Sequence, residues 1–380
     1  MTPHFIICCF LLSSVALGAI QNHEALFRLP LPTDAASDLF NVTFLTEAAK
    51  TEGAICIDGT PGAYYFRPGS GSGANKWYIH HEGGGWCESS DNCYGRSLGR
   101  LGSSKSYTPT MALNGGYFSN EDTVNPMMYN WNMVYLRYCD GGSFSGNRED
   151  PDVYEGHKLY YRGIRVLKAM HDSLMTTKGL DKSTDVVISG CSAGGLATYF
   201  HVDWWAENLP KMAKVRGLPD SGFFLDFEGP PKYHSGMQWV FKAMNSTSGV
   251  NQACIKAYEP SGQAWRCIFA QYTAPFITTP IFPLQSEYDS WQTANDLGST
   301  NDTLINDYGA SLTYLVKQNL LVNPIHGIFL DSCHHHCGEW GDIKINGDTQ
   351  AIAFQKFYEG DEKTPYIQGA IYPCKDCCSP

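Results

Sequence analysis

The five residues Gly190-Cys191-Ser192-Ala193-Gly194 constrain this chain most, because they join the apolar run Val186-Val187-Ile188 to a helix-like stretch from Leu196 to Trp205. Strand, sharp turn and helix is the setting of a nucleophile elbow. Glycines on both sides of a serine let the backbone turn tightly enough to expose the hydroxyl at the top of a sheet, and the Ala193 N–H is then placed to hold an oxyanion. The segment predicts Ser192 as a nucleophile; the competing reading is a small residue packing a strand-helix turn.

A nucleophile needs partners, and the flanking segments offer them. Upstream, Lys76 to His80 reads as a buried strand that runs into Glu82-Gly83-Gly84-Gly85-Trp86. Consecutive glycines let backbone N–H groups approach a developing alkoxide without side-chain obstruction. Asn132 to Tyr138 reads as a strand ending in the small-residue loop Cys139 to Gly146, and Lys158 to Met175 has helical spacing, with Leu159, Ile164, Leu167 and Met170 on its buried side. Beyond the elbow, Gly222 to Phe227 and Ile281 to Gln285 read as strands, the second leading to Ser286-Glu287-Tyr288-Asp289-Ser290-Trp291. Ser311 to Leu321 reads as a helix, His326 to Asp331 as a short strand, and the loop Ser332 to Cys337 precedes a helical run near Thr349.

For the acid, Asp289 competes with Asp220, Asp226 and Asp140, all near strand ends, and the loop just before the histidine strand is the natural source. Spacing does not choose among His334, His335 and His336 as the base. The order Ser, Asp, His is that of α/β-hydrolases. Three histidines between cysteines also raise a metal site, yet neighbours in an extended loop point in different directions and the cysteines are expected to be oxidised, so no metal and no cofactor is expected. Cys191 is expected to point away from the cleft, in a disulfide or in packing. His80 and His81 read as surface or cleft residues without chemistry, and Trp86, Trp291 and Tyr288 are candidates for stacking on a ligand.

An apolar stretch from Phe5 to Leu12 followed by Ala16-Leu17-Gly18 predicts a signal peptide over residues 1–18, with one domain over 19–380. Removing Cys8 and Cys9 from the 14 cysteines leaves an even set suited to disulfides, with Cys87 and Cys93, Cys254 and Cys267, and Cys333 and Cys337 as close pairs. Sequons at Asn41, Asn245 and Asn301 agree with a secretory route. A net charge of -11 speaks against a nucleic-acid partner, and no further stretch is long enough to cross a membrane. The expected product is a secreted monomer.

Six ordered segments resemble the pectin acetylesterase and Notum family of carboxylesterases. They are Ala54 to Pro61, Glu82 to Cys87, Arg137 to Gly146, the elbow with Gly195-Leu196-Ala197 beyond it, Tyr288 to Gln292, and the loop from Ser332-Cys333 to His336-Cys337. The resemblance implies an α/β-hydrolase-like fold, a mostly parallel sheet flanked by helices and held by disulfides. It carries the triad to Ser192, Asp289 and His336, and the oxyanion donors to Gly84, Gly85 and Ala193. The cysteine before Ser192, the triple glycine before Trp86 and the cysteine after His336 resemble the plant-type branch, which implies removal of O-acetyl groups from a polysaccharide such as pectin. The alternatives are a Notum-like lipid or palmitoleoyl-protein esterase and a catalytically idle carbohydrate-binding protein on the same scaffold. A long anionic polymer would be repelled by the overall charge unless the cleft is locally basic.

Overall fold

Runs that are apolar at every position, such as Trp77-Tyr78-Ile79 and Val186-Val187-Ile188, are stable as strands only where both faces of the sheet are covered. The computed structural model, which describes residues 39–229, 233–360 and 365–378, places both runs at the centre of a ten-stranded sheet. In chain order the strands are β1 (Leu39–Phe44), β2 (Ala63–Arg67), β3 (Lys76–His81), β4 (Thr110–Ala112), β5 (Asn132–Leu136), β6 (Asp185–Cys191), β7 (Lys214–Asp220), β8 (Leu284–Ser286), β9 (Phe329–Asp331) and β10 (Tyr366–Ile367). Across the sheet they run β10-β9-β8-β7-β6-β3-β5-β2-β1-β4. The sheet is parallel from β10 to β5 and antiparallel over the remaining three strands.

Alternation along these strands divides the core in two. Trp77, Ile79, Val134, Leu136, Val186 and Ile188 face the helices α2 (Gly163–Thr177), α3 (Ala193–Asn208) and α5 (Asp302–Asn319). Tyr78, Met133 and Val187 face the other way, with Leu218, Leu284 and Phe329, onto α6 (Gln350–Glu359). Helix α3 buries residues on nearly all its sides because it packs on β6 and β7 beneath further helices. Two shorter helices matter for the site, α1 (Ser90–Ser97) and α4 (Tyr233–Ala243).

Some elements differ from expectation. Residues 157–159 pair with 152–154 in a small hairpin, so the helix expected from Lys158 starts only at Gly163. Gly222 to Phe227 is not a strand; the Phe223, Leu225 and Asp226 N–H groups donate to the side chains of Gln285, Gln292 and Gln271 instead. The expected Cys333–Cys337 staple is replaced by Cys333–Cys378 and Cys191–Cys337, while Cys87–Cys93 and Cys254–Cys267 form as local staples. Cys56–Cys139 and Cys374–Cys377 complete the set. The three sequon asparagines are exposed, and no helix among the described residues is long and apolar enough to cross a membrane. Residues 1–18 lie outside the described residues.

Candidate active site

Parallel strands send their C-terminal ends to one edge of the sheet, and the loops leaving β3, β5, β6, β7, β8 and β9 meet there. Between β6 and α3, Ser192 adopts φ 61° and ψ -124°, a strained conformation for a residue with a side chain. Neighbours hold it there. The Ser192 N–H donates to the Asp220 carbonyl (2.9 Å), and its carbonyl accepts from the Leu196 N–H (2.9 Å). A Cβ at Gly190 would lie 2.2 Å from the Gly194 carbonyl oxygen, and one at Gly194 would lie 2.0 Å from that of His81. The elbow therefore requires both glycines by close approach.

The glycine loop after β3 lies against this turn. A Cβ at Gly83 would fall 2.1 Å from the Cys191 carbonyl oxygen and 3.1 Å from Ser192 Cβ. Gly84 and Gly85 have φ of 147° and 68°. Their carbonyls are taken by Arg96 Nη1 (2.8 Å) and the Tyr138 hydroxyl (2.8 Å) respectively, which fixes the planes of the following peptides. The Gly84, Gly85 and Ala193 N–H groups have no protein acceptor among the described residues. Ala193 also opens the 16-residue α3, whose N-terminus favours negative charge. Ser143 braces the arrangement by donating to the Ala193 carbonyl (2.7 Å) and accepting from the Trp86 indole (2.7 Å).

The three histidines after β9 turn to three partners. His334 Nε2 meets the Thr293 hydroxyl (3.0 Å), His335 Nε2 meets both Asp331 oxygens (3.0 and 3.1 Å), and His336 Nδ1 meets Asp289 Oδ2 (2.8 Å). A carboxylate only accepts, so Nδ1 of His336 carries a proton, and in the neutral ring Nε2 carries the lone pair. That Nε2 is buried and has no hydrogen-bond partner among the described residues. Asp289 is fully buried, and its Oδ1 accepts from the Trp291 (3.0 Å) and Gln292 (2.9 Å) N–H groups. The Cys191–Cys337 disulfide ties the residue before Ser192 to the residue after His336. Two more bonds fasten the same loop, from Cys337 N–H to Ser221 Oγ (2.8 Å) and from Gly338 N–H to Asp220 Oδ2 (3.0 Å).

The other aspartates face elsewhere. Asp220 serves the loop just described, and burial pushes its carboxyl up to about 6 against the pull of the Gly338 N–H and the nearby histidines. Asp226 binds His234 and the Tyr272 hydroxyl. Asp140 caps its own loop through the Gly142 and Phe144 N–H groups, and burial raises it to about 7. Burial would push His335 down, but its bond to Asp331, with Asp220 nearby, outweighs this and holds it at about 9. His80 and His81 are core residues rather than surface or cleft ones, and burial lowers them to about 3 and 4. Tyr288 points away from the site, its hydroxyl donating to the Ala370 carbonyl (2.7 Å).

Beside His336 stands an aromatic cluster. Trp86, Phe224, Tyr233 and Trp291 have ring centroids 5.0–5.8 Å apart, mostly edge to face. Phe224 and Trp291 each also contact the His336 ring. Phe224, Tyr233, Ser143 and Arg96 escaped the sequence reading. Ser143 entered it only as one member of the small-residue loop Cys139 to Gly146, and Phe224 only within the run expected to be a strand.

A family model described as Pectinacetylesterase matches residues 33–379. The chain belongs to the pectinacetylesterase family. It is 36% identical over 330 residues to pectin acetylesterase 11 of Arabidopsis thaliana, covering 81% of this chain and 82% of that one. It is 32% identical over 379 residues to pectin acetylesterase 5 of the same plant, covering 91% and 86%. More distant similarity, 27% over 353 residues, links it to the palmitoleoyl-protein carboxylesterase NOTUM of Mus musculus, covering 85% and 68%. The fold is shared with the crystal structure of the Wnt deacylase Notum from Drosophila, with a TM-score of 0.78 at 23% identity over 90% of this chain and 99% of that one. As a pectinacetylesterase family member the chain is a carboxylic ester hydrolase with a disulfide-braced, mostly parallel sheet.

Proposed function

We propose that the protein is a secreted serine esterase that removes O-acetyl groups from a polysaccharide such as pectin, with Ser192, His336 and Asp289 as its triad. The observation that carries this reading is the bond of His336 to the buried Asp289, which leaves an imidazole Nε2 with no partner among the described residues on a loop bonded to the elbow of Ser192. His336 Nε2 takes the Ser192 proton as Oγ attacks the ester carbonyl, and Asp289 stabilises the imidazolium. Electron density from the carbonyl moves onto its oxygen, where the Gly84, Gly85 and Ala193 N–H groups receive it. Collapse expels the sugar alkoxide, which takes the proton from His336 and leaves an acetyl-enzyme. Water, deprotonated by His336, then attacks that ester, and collapse breaks the bond to Ser192 Oγ, which takes the proton back from His336 as acetic acid leaves and ionises to acetate.

The aromatic cluster favours a short acyl group. Trp86, Phe224 and Tyr233 are buried and interlocked with Trp291 beside His336, so a long chain entering there would have to displace packed rings. On this reading residues 1–18 are a removed signal and 19–380 form one catalytic domain. Hydrolysis of p-nitrophenyl esters from acetate to palmitate, by wild type and Ser192→Ala side by side, tests the proposal. Expected is a preference for acetyl that is lost in the mutant. Preference for eight or more carbons favours the Notum-like alternative, and no Ser192-dependent turnover favours an idle carbohydrate-binding protein.

A further inference from the structure

The chain carries a net charge of -11, yet the surface next to its glycine loop is cationic. Helix α1 and the turn after it line an open groove of about 570 Å³ that includes Tyr94, Arg96, Leu98, Arg100 and Leu101. The groove borders the proposed oxyanion loop directly. Arg96 Nη1 donates to the Gly84 carbonyl, its Nη2 would lie 3.1 Å from a Cβ at Gly85, and a Cβ at Gly84 would meet Leu101 at 2.8 Å. No carboxylate is in ion-pair contact with Arg96 among the described residues.

Arg100 Nη1 meets Glu82 Oε1 (3.0 Å), and its side chain is 63% exposed. Glu82 is not dependent on it. The same oxygen is paired with the buried Arg137 (3.2 Å), and Oε2 accepts from the Tyr138 N–H (2.9 Å), so Arg100 retains N–H groups for an incoming anion. The acid lining this groove is Asp91 in the first turn of α1, whose Oδ1 is engaged by the Tyr154 hydroxyl (3.0 Å). The groove lining thus holds two guanidinium groups and one carboxylate, with Arg100 sharing Glu82 with Arg137 behind it. Of the remaining lining, Tyr94 has one ring face held against His157 at 4.7 Å, and Leu98 is 73% exposed.

We infer that this groove is a subsite for the carboxylate of a uronate residue flanking the acetylated sugar, with Arg96 and Arg100 as its anion donors and Tyr94 as a ring platform. The inference rests on the esterase reading for its place along the polymer but not for the binding itself. Planar guanidinium forks match a carboxylate with two parallel N–H donors. The overall negative charge does not oppose this, because at physiological salt repulsion is screened beyond roughly 8 Å. The two arginines act at contact distance.

The test uses the full chain and two polymers acetylated to the same degree, polygalacturonate free of methyl esters and neutral xylan. Arg100→Gln is expected to raise KM on the polyuronate roughly threefold to tenfold more than on xylan, the scale of a partly exposed charge-assisted contact. Arg100→Lys, which keeps the charge, should recover part of the loss, and added salt should raise the wild-type KM on the polyuronate alone. Equal KM changes on both polymers would overturn the inference, as would a matching kcat loss on p-nitrophenyl acetate, which marks Arg100 as a prop for Glu82. Binding of oligogalacturonate to Ser192→Ala protein, with and without Arg100→Gln, repeats the comparison without turnover. Absence of any Ser192-dependent hydrolysis would defeat the esterase reading and leave this binding result to stand or fall by itself.

Discussion

Replacing Cys191 and Cys337 together by alanine separates what the disulfide does for stability from what it does for the site. The bond closes a loop with a sequence separation of 146, and the chain-entropy relation gives about 5 kcal/mol for a loop of that size. Cys254–Cys267 lies within the loop, but removing its 13 residues from the count barely changes a logarithm. With an unfolding entropy of about 2.1 cal/mol/K per residue, 5 kcal/mol corresponds to a Tm roughly 7 °C lower. The position of His336 has other supports: its bond to Asp289, the Cys337 and Gly338 N–H bonds to Ser221 and Asp220, and the Ser290 N–H bond to the His335 carbonyl. Those supports remain in the variant, so turnover below the transition should fall by less than about tenfold, whereas loss of a triad member costs several orders of magnitude. Calorimetry or tryptophan fluorescence melts, run beside p-nitrophenyl acetate hydrolysis at low temperature, read both effects. An unchanged Tm, or a kcat loss as deep as that of Ser192→Ala, would refute the reasoning.

Asp289→Asn keeps the shape but disturbs the imidazole tautomer, and kcat should fall on the order of 10³-fold to 10⁴-fold with the fold intact by circular dichroism; near wild-type turnover would remove Asp289 from the triad. Trp291→Ala opens the aromatic cluster and should move the p-nitrophenyl ester preference toward longer chains, whereas an unchanged profile would show that the cluster does not limit acyl length. Stability should fall as pH rises from about 7 to about 9. Burial raises the folded-state carboxyls of Asp140, Glu287 and Asp296 to about 7, so the folded state keeps protons that the unfolded chain has already released, and their contribution disappears as pH passes through 7. His335, raised to about 9, contributes fully below its ordinary value and loses that contribution as pH climbs through 9. His80, His81, His201 and His326, lowered to about 3 or 4 by burial, add stability as pH climbs to the ordinary histidine value and so offset the raised carboxyls below pH 7 but not above it, while the lowered carboxyls of Asp58 and Asp152 act only below the usual carboxylate range. Melting scans across this range check it, and a Tm that is flat or rises with pH would contradict the assignment.

The elbow was legible because its information is local: an apolar strand, two glycines forced by close approach and a helix follow one another in sequence. Which aspartate pairs with the histidine loop was not, since Asp140, Asp220, Asp226 and Asp289 all follow or end strand-like segments, and sequence does not state which strands are neighbours. In the sheet β8 and β9 pair in parallel, Ser286 beside Asp331, so the loops carrying Asp289 and His336 leave side by side. That adjacency, rather than any motif, brings the two into contact. The same holds for Cys337, whose partner lies far back in the chain although Cys333 is nearby, because His336 can reach Asp289 only if its loop folds back over the elbow, which brings Cys337 onto Cys191.

The segment from Gly222 to Phe227 shows why an apolar run can mislead. It has the composition of a strand, but its N–H groups are taken by glutamine side chains, which frees Phe224 to turn toward His336 and Trp86. A sheet strand there would have alternated its phenylalanines between two faces and left the space beside the histidine open. The irregular backbone is therefore what packs Phe224 beside His336, and the segment misread as a strand is the feature on which the proposed short-acyl preference depends.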